Sequence, residues 1–336
     1  MTHRRRFLFC ALGGAGLAAI TWRRGTFSAE PSPGDLHEVS RSSRAMGSQV
    51  HCTVYAASRA QGEEAIDAAF AAIERVESVM SLYRSDSQLC RLNRSGTLSR
   101  PDPELLDVLQ LAAEISRRSD GAFDISVQPL WELHARHARL GSQPSPQEIK
   151  AACQYVNWQA VHIEEEGIWL EGGAQITLNG IAQGHAADAA CRALRAHGIR
   201  HAILDAGEIC PLGKHVERDH WQVGIKHPRQ PGGLLGLAQL DGRCMATSGD
   251  YETTFTGDHS SHHLFDPRTG RSALACASVS VMAPAAAQAD ALSTACFVLG
   301  LERGMELIRA TPQADALFVA RDGQLTRSEN FPIQIS

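Results

Sequence analysis

The stretch Val161-His162-Ile163-Glu164-Glu165-Glu166-Gly167-Ile168-Trp169-Leu170 decides the fold class. Two short runs of β-branched and aromatic residues flank a Glu-Glu-Gly turn, which reads as a β-hairpin. Just downstream, Ala182 to Ala196 places Ala186, Ala189, Ala190 and Leu194 at helical spacing, and Gly198 ends the segment. Strand runs follow at 201–204, 221–226, 235–240, 276–282 and 317–320, interrupted by one very apolar helix over 286–299. Upstream the order reverses. After a first strand at 49–56, the stretch 64–80 sets Ile66, Phe70, Ile73, Val76 and Met80 at intervals of three and four. Asp102-Pro103 opens a second helix with Leu105, Val108, Ala112 and Ile115 on one face, and Ser145-Pro146-Gln147-Glu148 has the form of a capping box. Helices and strands come in blocks rather than in alternation, so the class is α+β: mixed sheets with flanking helices, and a cleft where two halves meet.

Composition bounds the function. The 336 residues are 43% hydrophobic and 21% charged, as in an ordered globular protein. Lys and Arg total 32 against 37 Asp and Glu, a net charge of −5, with only 6% aromatics. Neither a basic nucleic-acid surface nor a base-stacking platform is supported.

The first residues are of a different kind. Arg4-Arg5-Arg6-Phe7-Leu8 precedes an uncharged run over 7–22, shorter than the about 20 residues of a membrane span. A basic start and a short apolar core read as an export signal over 1–29, of twin-arginine type, with a single N-terminal anchor as the competing reading. Residues 30–44, rich in Pro, Ser and charge, are expected to be a linker, and 45–336 the working domain. The mature protein is then expected in a periplasm, soluble or loosely membrane-associated. Eight cysteines remain beyond Cys10, none in a CxxC pair. They read as buried small hydrophobes, with one or two bridges open, and lack zinc-ligand spacing.

Three constellations could carry chemistry. Leu178-Asn179-Gly180-Ile181-Ala182-Gln183-Gly184 lies between a strand and a helix, where two glycines permit close backbone approach and free N–H groups attract phosphate. It reads equally well as a helix-packing turn. In Ala289-Asp290-Ala291-Leu292-Ser293-Thr294, Asp290 and Thr294 stand at i and i+4 on one helical face, a carboxylate and a hydroxyl suited to an oxygen-preferring ion such as Mg²⁺. The competing reading is a lone polar face on a buried helix. His262-His263-Leu264-Phe265-Asp266-Pro267-Arg268-Thr269-Gly270 pairs two histidines with a turn, and either histidine could be acid, base or structural. His134 and His137, three apart, read as a solvent-facing pair.

Taken in order, Ala45-Met46-Gly47, Ser81-Leu82-Tyr83-Arg84-Ser85-Asp86-Ser87, Leu92-Asn93, Gly121-Ala122-Phe123-Asp124, Gly180 to Gly184, Ser248-Gly249-Asp250-Tyr251, His263 to Gly270 and Ala289 to Thr294 resemble the ApbE family of FAD:protein FMN transferases. The resemblance runs from about residue 45 to 330. It implies an ApbE-like fold and Mg²⁺-dependent cleavage of FAD, with AMP released and FMN esterified to a Thr or Ser hydroxyl of a target protein. Implied targets are flavin-carrying subunits of membrane redox complexes or regulators of nitrous-oxide respiration. It also implies that Met46, Tyr83, Gly121, Ala122, Phe123, Thr177, Gln183, Phe265 and Asp266 contact FAD. Gly180 (through its carbonyl), Asp290 and Thr294 would hold Mg²⁺, and His263 would stand beside the reacting phosphate, with Asp290 the other catalytic residue. Four positions depart from the family pattern. Thr177 stands where many relatives carry Asp, and Gln183 where Lys is common. Gly207-Glu208 replaces a Gly-Gly turn, and His262 replaces a Ser. These departures raise an alternative: a periplasmic flavin-binding or maturation protein without efficient transfer.

Overall fold

In the strand Ser48–Ala56, Val50, Cys52 and Val54 point inward and His51 outward, the two-residue alternation of a sheet with a covered face. The computed structural model describes residues 35–164 and 167–335, so the export signal read over 1–29 lies outside the described residues. Ser48–Ala56 pairs with His37–Ala45 over the full length of both, from His37 opposite Ala56 to Ala45 opposite Ser48. The two-residue turn is Met46-Gly47, with φ of 53° and 76°, as a tight hairpin demands. The stretch expected to be a linker over 30–44 is therefore strand from His37 onward. Its sequence hides this because it is an edge: only Val39 is buried, and Ser and Arg face solvent, where an unpaired edge needs polar cover.

The main sheet has eight antiparallel strands. Their order is His37–Ala45, Ser48–Ala56, His201–Asp205, Ile209–Leu212, Cys244–Gly249, Cys276–Ala283, Asp315–Ala320 and Leu325–Arg327. It thus joins the start of the chain to its end. Most neighbours share several register pairs, but Ile209–Leu212 and Cys244–Gly249 share one, Met245 opposite Ile209. Cys276–Ala283 is buried at every position because both faces of the sheet are covered. The three-stranded sheet Trp221–Lys226, Leu234–Leu240 and Ile333–Ile335 packs on one face through Trp221, Ile225, Leu240 and Phe331. Helices Arg59–Met80, Ala182–Ala196 and Ala286–Arg309 cover the other. The helix expected over 286–299 is followed by a kink at Gly300 (φ 75°), and a further helical segment continues to Arg309.

A helical lobe completes the molecule. Pro103–Arg118 starts at Asp102, whose side chain accepts the Glu104 N–H. Pro146–Cys153 starts at the Ser145–Glu148 capping box anticipated from sequence. Gln128–Arg139 lies between them, and Val161–Glu164 pairs with Gly167–Leu170 and Thr97–Ser99 in a small sheet. His134 departs from the expected solvent-facing pair: it is buried, stacked on Phe255, tilted against Phe265 and hydrogen-bonded to the Gly270 carbonyl, while His137 bonds Ser142 and Glu148. Cysteines 52, 90, 153, 191, 210, 244, 276 and 296 are free thiols, six of them buried.

Candidate active site

The turn before helix Ala182–Ala196 is held from three sides. Asn93 clamps Ile176 at both its backbone groups, donating to the carbonyl at 2.7 Å and accepting the N–H at 2.8 Å. Thr177 donates its N–H to the Ile125 carbonyl, and its hydroxyl accepts the Asn179 N–H at 3.3 Å. Gly180 comes next, packed so closely that a Cβ there would stand 3.1 Å from Thr294 Oγ1 and 3.4 Å from Phe123 Cε2. Only glycine brings backbone so near to both.

Gly184 is tighter still, since a Cβ would lie 2.3 Å from the Ala286 carbonyl oxygen. The helices Ala182–Ala196 and Ala286–Arg309 therefore meet backbone to backbone at this point. The Gly184 N–H donates to Asp290 Oδ2 at 3.1 Å. Across the same junction Asp188 accepts the N–H groups of Ala286 and Ala287 at 2.8 and 2.9 Å, capping the second helix from the first. That capping role occupies Asp188, although it lies half-buried in a cluster with the buried Cys210 and Cys244, the only grouping of three such ligand-type side chains among the described residues.

Asp290 is 4% exposed, and burial pushes its carboxyl up to about 7, with the Asp188 charge adding and the Gly184 N–H opposing. Thr294 Oγ1 lies 3.1 Å from Ser248 Oγ, which bonds Ser293 Oγ at 2.7 Å. The buried carboxylate of Asp290 and the hydroxyl of Thr294, with Gly180 packed against that hydroxyl, are oxygen groups whose chemistry fits a hard divalent cation. The burial of Asp290 fits it too, because a carboxylate in so apolar a helix needs a compensating charge.

A cleft of about 710 Å³ opens beside this junction, lined by Tyr83, Trp131, Arg136, Tyr155 and Asn179 among others. Tyr83 is 78% exposed, and the lining residue Asn179 is the chain neighbour of Gly180. Phe123 and Ala122 are buried behind Gly180, and Gly121 turns the chain there at φ 73°. Gln183 reaches across to Gly207. Met46, at the hairpin tip, donates its N–H to Glu77. Phe265 is buried against His134 and Phe255, and Asp266 receives a double contact from Arg268 within its own turn. Asn93, Ser248, Trp131, Arg136 and Tyr155 were given no role from sequence. Asn93 and Ser248 stand inside motifs already visible there, whereas the other three gather only through helix packing.

The adjacent histidines divide sharply. His262 is 0% exposed, with Nε2 donating to the Ala273 carbonyl at 2.9 Å and Nδ1 accepting the Leu264 N–H. Burial brings its pKa down to about 4, so it is a neutral structural ring and does not face solvent. His263 is half-buried, with Nδ1 3.1 Å from the Thr253 carbonyl oxygen. A carbonyl only accepts, so Nδ1 carries the hydrogen and Nε2 keeps its lone pair. Burial lowers the His263 pKa, while the Thr253 contact and the charges of Glu252 and Asp250 oppose the shift. Asp250 is itself fully buried and gripped by Arg229 through two contacts of 2.7 Å.

Residues 46–318 match the ApbE family model. The chain belongs to the ApbE family. This ApbE-family chain is 32% identical to the FAD:protein FMN transferase of Treponema pallidum over 321 residues, covering 87% of each protein. It is 30% identical to that of Vibrio cholerae over 262 residues, 74% of this chain and 78% of the relative. Among solved structures, the ApbE protein of Thermotoga maritima superposes with a TM-score of 0.79 at 27% identity, covering 89% of this chain and all of that one. The flavin transferase ApbE from Vibrio cholerae gives 0.76 at 27% identity, over 88% and 98% of the two chains. Sheets and flanking helices of this ApbE fold are thus shared with flavin transferases.

Proposed function

We propose that this protein is a Mg²⁺-dependent flavin transferase. It moves the FMN moiety of FAD to a Thr or Ser hydroxyl of a target protein and releases AMP. The observation that carries the reading is Gly180 packed against Thr294 beside the cleft residue Asn179, with Asp290 one helical turn from Thr294. Gly180, Asp290 and Thr294 would hold the cation, which when bound supplies charge neutralisation at the FAD pyrophosphate. Cleft residues Tyr83, Trp131 and Tyr155 offer apolar surface to a flavin or adenine ring, and Arg136 a positive charge to phosphate.

A protein hydroxyl is a weak nucleophile until its proton is taken. His263 supports that role: its Nδ1 is fixed by the Thr253 carbonyl, and its lowered pKa leaves Nε2 unprotonated at neutral pH. The hydroxyl oxygen then bonds to the FMN phosphorus as the bond to AMP breaks, and the hydroxyl proton passes to Nε2. The protein substrate is a flavin-accepting domain, such as a subunit of a membrane redox complex or a regulator of nitrous-oxide respiration, met in the periplasm. Among the described residues no helix is long and apolar enough to cross a membrane.

The test is incubation with FAD, Mg²⁺ and a flavin-accepting domain. AMP release together with fluorescence that stays on the denatured target is the expected result. Tight FAD binding with neither product would establish the flavin-binding or maturation alternative instead.

A further inference from the structure

The turn Asp205-Ala206-Gly207-Glu208 joins the strands His201–Asp205 and Ile209–Leu212, and the second of these meets Cys244–Gly249 through the single register pair Met245 opposite Ile209. Gly207 takes φ 93° there, and its N–H bonds Asp205 Oδ1 at 3.1 Å. A Cβ on Gly207 would stand 3.0 Å from Gln183 Nε2, and the residue after Gln183 donates its N–H to Asp290. The turn therefore abuts the start of the helix that holds Asp290 in place.

Glu208 follows in sequence and is out of place by ordinary rules. It is 6% exposed, and its Oε2 is buried with no hydrogen-bond partner. Its carboxylate does accept the Thr247 N–H. The charges that act on it most are those of Asp290, Asp205 and Glu252, all negative. Glutamate is seldom buried unless paired, and leaving a carboxylate oxygen desolvated without a partner is costly. Thr247 precedes Ser248, whose hydroxyl touches Thr294. The unpartnered oxygen thus belongs to a side chain held at Thr247, next to the Ser248 that touches Thr294, and it follows the turn that meets Gln183; the charges that act on it are negative, and what it lacks is a positive one.

We propose that Glu208 is a second carboxylate of the cation site formed by Gly180, Asp290 and Thr294, so that the protein takes up a divalent cation before FAD arrives. This rests on the Mg²⁺ reading given above. With Asp290 alone, one protein charge would face a doubly charged ion, and firm binding would have to wait for the FAD pyrophosphate. With Glu208 the protein supplies two charges, enough to neutralise the ion unaided.

The experiment measures Mg²⁺ binding by calorimetry, and Mn²⁺ binding by electron paramagnetic resonance, on FAD-free full-length protein, with thermal melts in EDTA and in Mg²⁺. Wild type should bind the ion without FAD. Glu208→Gln should weaken that binding tenfold or more, while Glu208→Asp, which keeps the charge, should lose less. Glu208→Gln should also melt higher than wild type in EDTA and gain less from Mg²⁺, because the variant removes a charge that only the ion compensates. A Glu208 that merely braces Thr247 would instead lower the melting temperature in both buffers and leave ion affinity at the wild-type value, and that result overturns the proposal. Asp290→Asn separates the two readings. If it abolishes binding while Glu208→Gln does not weaken it, the Mg²⁺ site stands and the role of Glu208 falls. If wild type binds neither ion with or without FAD, both fall.

Discussion

The helix junction that carries Asp290 and the cleft beside it are built on opposite principles. At the junction, Gly184 lies against the Ala286 carbonyl, Gly180 against Thr294, and Asp188 caps the partner helix, so the geometry is set by backbone and small residues. Along the cleft, Tyr83, Trp131, Arg136 and Tyr155 are long side chains, two of them on helix Gln128–Arg139 and two on the loops at 83 and 155. The difference teaches where precision is spent: the groups proposed to hold the cation are over-determined, and the surface proposed to receive the bulk of FAD is built of long side chains.

That contrast can be broken most severely at its tight end. Asp290→Ala should lower the transfer rate by about 10³-fold or more, as expected when a cation site worth several kcal/mol is lost. Circular dichroism should show an intact fold, and near-normal transfer in chelator-treated buffer would remove Asp290 from the chemistry. His263→Ala should cost about 10²-fold in rate with FAD binding retained. Because burial lowers the His263 pKa, the wild-type rate should hold down to below the ordinary histidine value of about 6.5 and fall only on further acidification. The residual activity of the variant should lack that acidic limb. A wild-type rate in the variant would hand the proton to a carboxylate.

Smaller effects sharpen the comparison. Gly184→Ala forces a methyl against the Ala286 carbonyl and should destabilise the fold by about 2–3 kcal/mol, read from chemical denaturation, and lower the rate along with it. Tyr83→Ala in the cleft should raise KM for FAD by about tenfold with kcat nearly unchanged, the loss of about 1.4 kcal/mol of uniform binding. Equal loss in kcat would mean that the cleft shares the precision of the junction. Ser145→Ala, at the capping box whose Glu148 lines the cleft, should cost about 1 kcal/mol of stability by chemical denaturation and act on KM for FAD rather than on kcat.

Much of this was legible before any coordinates, and the exceptions share a cause. Helix starts at Asp102 and Ser145 are written locally and lie where expected. The spacing of Asp290 and Thr294 needs only helical periodicity. The strand His37–Ala45 was not legible because an edge strand is selected for polarity, so its apolar alternation is reduced to Val39. Glu208 was visible as an odd residue, but its burial depends on packing between segments distant in sequence. The same holds for the division of labour between His262 and His263: the deciding partners, Ala273 and Thr253, come from different loops. Phe265 and Asp266 kept the family pattern while their side chains turn to the interior and to Arg268.

The seam between Ile209–Leu212 and Cys244–Gly249 has a mechanical consequence. A sheet that is laced by many rungs elsewhere and by one rung here is weakest along this line. What spans the line instead is the helix pair above it, since Ala182–Ala196 and Ala286–Arg309 touch at Gly184 and are latched by Asp188. A pulling force that parts the two blocks of strands is therefore carried through the helices. Stretched between handles on either side of the seam, the protein should yield in one step when the latch lets go, and Asp290 would lose its Gly184 contact at that moment.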